Sequence, residues 1–88
     1  MKLVKVIGSV TSTIKDSTLE GLKLLFVRTV NPELKEGKDY FIAVDTIGLG
    51  ENEIALMVTG STAKRTEITK GRNVDGTLVA KVERIDLG

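Results

Sequence analysis

An all-β fold, a small five-stranded closed barrel carrying one short helix, is what this 88-residue sequence predicts. Three observations predict it. Apolar residues recur at alternate positions in several short segments, the two-residue period of half-buried strands. Clusters of Gly, Asn, Asp and Ser punctuate those segments as turns. At most one brief helix is expected, after Ser61 or Thr62. Closure of the sheet would remove the exposed edges that a small open sheet presents, with an open sandwich as the alternative.

The first strand is expected over Leu3 to Ser12, where Val4, Val6 and Val10 share one face and Lys5, Ser9 and Thr11 the other. Gly8 lies among the valines, where a missing side chain lets a curved strand kink. Between Thr13 and Gly21, Ser17 and Glu20 have capping-box spacing, but Gly21 follows at once and a loop is expected. The second strand, Lys23 to Val30, is apolar on both faces, Leu24 and Phe26 on one and Leu25 and Val27 on the other. A neighbouring copy or an internal loop would cover the second face.

Asn31 to Lys38 holds the single proline, Pro32, and reads as an exposed connection. Tyr40 to Ile47 is the expected third strand, interrupted by Asp45, and Ile54 to Thr59 the fourth. The flexible turn Gly48-Leu49-Gly50-Glu51-Asn52-Glu53 between them predicts that strands three and four form a hairpin. Ser61 or Thr62 can cap a short helix containing Ala63. Thr77 to Ile85 closes the chain as strand five, with Leu78, Ala80 and Val82 in phase and Val79 and Ile85 opposite. Five short strands and at most one brief helix suggest a barrel of the oligonucleotide/oligosaccharide-binding type. A single domain over residues 1–88 is expected, without internal repeat or linker.

Composition narrows the function. Hydrophobic residues make up 41% but aromatics only 3%, so the core must be assembled from Val, Ile and Leu. A domain this small commonly gains stability from disulfides, metals or oligomerisation, and the zero counts of Cys and His leave oligomerisation. Thiol chemistry is excluded, no metal or cofactor is expected, and a serine or threonine nucleophile would lack a histidine base. The net charge of +1 and the scarcity of stacking aromatics argue against a nucleic-acid binder. No signal-peptide stretch opens the sequence and no apolar run approaches the roughly 20 residues needed to span a bilayer, so a soluble cytoplasmic protein without a membrane partner is expected.

Several short patterns deserve comparison with known chemistry. Gly48-Leu49-Gly50 opens like a dinucleotide fingerprint, but Glu53 stands at the final glycine position and a strand follows instead of a helix. Asp45, Glu51 and Glu53 could supply a carboxylate pair for acid/base work on a sugar, though solvated loop carboxylates explain them more simply. Gly60, Ser61, Thr62, Lys64 and Arg65 form a candidate anion-binding segment, because amides at a helix start and two cations favour negative charge. Leu49, a large aliphatic residue at the expected hairpin tip, would be exposed in a lone subunit. It is expected to be covered by a neighbouring copy, folding back onto its own barrel being the alternative.

Taken in order, Gly8-Ser9-Val10, Thr13, Lys15, Leu19, Gly21, Lys23-Leu24-Leu25, Ala43 to Gly50, Glu53 and Val58 to Ala63 resemble the ethanolamine-utilisation and carboxysome vertex proteins, the EutN/CcmL family. The resemblance spans almost the whole chain. It implies a five-stranded barrel that assembles as a homo-pentamer and plugs the five-fold corners of polyhedral shells, beside hexameric shell proteins, in the bacterial cytoplasm. It makes Asp45, Thr46, Gly48 and Gly50 the counterpart of the family's Asp-Thr-Val-Gly-Ala-Gly loop, with Leu49 replacing the usual Ala, and marks this as an interface or ring loop. Gly60 to Ala63 match its Gly-Ser-Ser-Ala-Arg segment, with Lys64 where Arg is common. A structural protein, not an enzyme, is implied. A barrel-type binding module for single-stranded nucleic acid or oligosaccharide is the alternative.

Overall fold

A computed structural model describes residues 1–11, 23–59 and 75–87. Its strands are β1 (Lys2–Ser9), β2 (Leu24–Val30), β3 (Glu36–Asp45), β4 (Ile54–Thr59) and β5 (Gly76–Val82). They close into a barrel in the order β1-β2-β3-β5-β4. Four seams are antiparallel, and the fifth, β3 against β5, is parallel and three residue pairs long, Ala43–Asp45 against Gly76–Leu78. The described residues contain no helix. The short helix expected after Thr59 lies outside them.

Alternation fills the barrel. Val4 and Val6 from β1, Leu25 and Val27 from β2, Ala43 from β3, Ala55 and Met57 from β4 and Leu78 from β5 make one buried cluster, joined by Leu49 from a loop. Phe41 packs against it while partly buried, so no aromatic ring occupies the centre, as the composition requires. Gly8 marks an irregularity, because the β1–β2 register slips between Val6 and Gly8, the local bend that a small barrel needs to close. On the second face of β2, Leu24 is buried within the chain, whereas Phe26 is half-buried.

Three expectations need correction. β3 begins at Glu36 instead of Tyr40 and ends at Asp45. Asn31 folds the preceding turn tightly, its carbonyl accepting from the Leu34 amide at 2.8 Å and its side chain from Glu33 and Lys35, which brings Glu36 into register with Val30 at once. Gly37 therefore lies in the strand, where a Cβ would stand 2.7 Å from Thr29 Oγ1.

The expected hairpin between β3 and β4 does not form. β4 pairs with β1 and β5, and the segment after Asp45 crosses the end of the barrel instead of turning back. The cause is the Asp45 side chain, described below.

In β5 the two-residue phase breaks. Register passes from Met57↔Leu78 to Leu56↔Ala80, leaving Val79 as an extra residue that is 36% exposed. Leu78 thus faces the core, while Ala80 and Val82 pair with Leu56 and Ile54, which alternate out of phase with core-facing Ala55 and Met57.

Candidate functional site

The crossover from Asp45 to Glu53 is organised by one carboxylate. Asp45 terminates β3, and its side chain, 1% exposed, accepts hydrogen bonds from the amides of Ile47 and Gly48, each at 2.9 Å, and of Leu49 at 2.8 Å. Three successive amides leave the strand direction and wrap one side chain, an arrangement that a backbone hairpin cannot share. Gly48 adopts φ +83°, a left-handed conformation that suits glycine at this bend. Lys23, at the start of β2, places Nζ 3.7 Å from Asp45 Oδ2 and donates to the Leu49 carbonyl at 3.2 Å. The Asp45 amide in turn donates to the Lys23 carbonyl at 2.9 Å.

Thr46 donates its hydroxyl proton to the Leu78 carbonyl at 2.6 Å, fastening the loop to β5. Its far end is fastened to β1. The Val6 amide donates to the Glu53 carbonyl at 2.9 Å and the Asn52 amide to the Val6 carbonyl at 2.8 Å. Glu53 accepts from the Gly50 amide at 2.6 Å and pairs with Lys81 of β5. The Lys81 ammonium and the Gly50 amide hold the Glu53 carboxyl below its ordinary range, and Glu53 raises Lys81 reciprocally.

Leu49 lies beneath this frame, 2% exposed and part of the chain's own core. The expectation that a lone subunit exposes it is therefore corrected: once Asp45 draws the loop across the barrel, the side chain between two glycines has the core directly below it. Gly48 and Gly50 remain on the outside of the loop.

Two of the three candidate carboxylates serve the loop itself. Asp45 is occupied by three amides, Glu53 by Lys81 and Gly50, and Glu51 is exposed, so Asp45 and Glu53 are engaged in holding the loop. Among the described residues no group of three or more acidic, His or Cys side chains could hold a metal ion. Gly60, Ser61, Thr62, Lys64 and Arg65, the candidate anion-binding residues, lie outside the described residues. Reading the sequence missed Lys23, Lys81 and the β1 backbone as partners of the loop. Only Glu53, three residues after Gly50, carried a local signal.

A family model described as ethanolamine utilisation protein EutN/carboxysome matches residues 1–83. The chain belongs to the EutN/CcmL family. The carboxysome shell vertex protein CcmL of Thermosynechococcus vestitus is 34% identical to it over 85 residues, 97% of this chain and 86% of that protein. The bacterial microcompartment shell vertex protein GrpN of Rhodospirillum rubrum is 35% identical over 86 residues, 98% of this chain and 97% of that protein. Among solved structures, the GrpN pentameric microcompartment shell protein of the same organism aligns at 34% identity with a TM-score of 0.88, covering 100% of both chains. A carboxysome subunit, CcmL, gives a TM-score of 0.90 at 33% identity, covering 99% of this chain and 91% of that one. The EutN/CcmL barrel is thus the closed five-stranded form found here.

Proposed function

We propose that this protein is a structural shell component: identical copies close into a pentamer that caps the five-fold vertices of a bacterial microcompartment, in the shell within the bacterial cytoplasm. The observation that carries this is the end-to-end likeness to a pentameric microcompartment shell protein, with nothing left over in either chain. It works as a building block and not as a catalyst, in keeping with relatives that are shell vertex proteins. Its partners are further copies of itself and the hexameric shell proteins that tile the facets. Hexagonal tiles alone make a flat sheet, and a five-fold piece at each corner supplies the curvature that closes it. The oligonucleotide- or oligosaccharide-binding alternative gains no support from these relatives.

As a ring loop, residues 45–50 would act through the exposed backbone at Gly48 and Gly50, with Asp45, Thr46 and Leu49 holding its shape from inside. What supports the reading is the density of its internal ties, since a pre-organised loop loses little entropy on meeting a partner. Co-expression with a hexameric shell protein provides the test of the vertex role. Closed polyhedra are expected with this protein present and open sheets or tubes without it. Equal closure in both cases would refute the reading.

A further inference from the structure

We draw no further inference here: the strongest candidate, the exposed apolar patch that the stacked Phe26–Tyr40 pair and Ile42 form on the outer β2–β3 wall of the barrel, carries nothing, because nothing in the structure shows what covers it.

Discussion

At the scale of single residues, Asp45 does more for the crossover than any other side chain. Its carboxylate is almost wholly shielded and takes three amides, the Ile47, Gly48 and Leu49 donors, with Lys23 nearby. Asp45→Asn keeps the shape but replaces an acceptor oxygen by an NH₂ group facing an amide donor, which should cost about 1–3 kcal/mol, measured by urea unfolding of the monomer. An unchanged midpoint would show that the three bonds do not hold the loop. Leu49→Ala should cost about 2–5 kcal/mol in the same measurement, because the lost methyl groups leave a cavity in the core cluster. Leu49→Asp should lose the fold together with any assembly, not assembly alone. Gly48 and Gly50 were legible in the sequence as turn chemistry, and Asp45 only as an interruption of strand three. The direction of Leu49 was not, since a single apolar residue between glycines belongs to no alternating run, and only the long-range course of the loop decides which way it points.

Elements were legible where alternation was local. β1, β2 and β4 announce themselves by their valines, leucines and isoleucines, and the structure places β2 and β4 where that pattern does, while β1 ends at Ser9, short of the expected Ser12. Pairing was less legible. Proximity in sequence favoured a β3–β4 hairpin, whereas β5 enters between them, and nothing local encodes a three-pair parallel seam. The bulge at Val79 was hidden for the same reason, because it is set by the partner strand. The β4–β5 seam is tight at Gly76, where an added Cβ would stand 2.7 Å from Met57 Cγ and Sδ and 2.8 Å from the Val58 carbonyl oxygen. Gly76→Ala should therefore destabilise the barrel by about 1–3 kcal/mol, seen as a lowered thermal midpoint.

The tie between the crossover and β5 also predicts a pH dependence. Glu53, depressed in the folded state, contributes stability above its ordinary value of 4.5 that is lost as pH falls through the folded value below it. Lys81, raised, contributes stability in full below 10.5 that is lost as pH rises beyond it. The difference in urea midpoint between wild type and Glu53→Gln should hold steady at neutral pH and shrink in acid below about pH 4.5. A difference that persists undiminished to pH 2 would assign the effect to packing instead of charge.

For the whole molecule, a core of small aliphatic side chains leaves the stacked Phe26–Tyr40 pair and Leu34 on the outside. The resemblance carried by the Ala43–Gly50 and Val58–Ala63 segments identified the family, and likeness over 100% of both chains to a pentameric shell protein carries the assembly. The mass of the purified protein in solution tests that claim most directly. With a subunit of 9.5 kDa, a closed ring of five should weigh roughly 48 kDa by native mass spectrometry and keep that mass on dilution to micromolar concentration. A monomer there, or a six-fold ring, would contradict the vertex role.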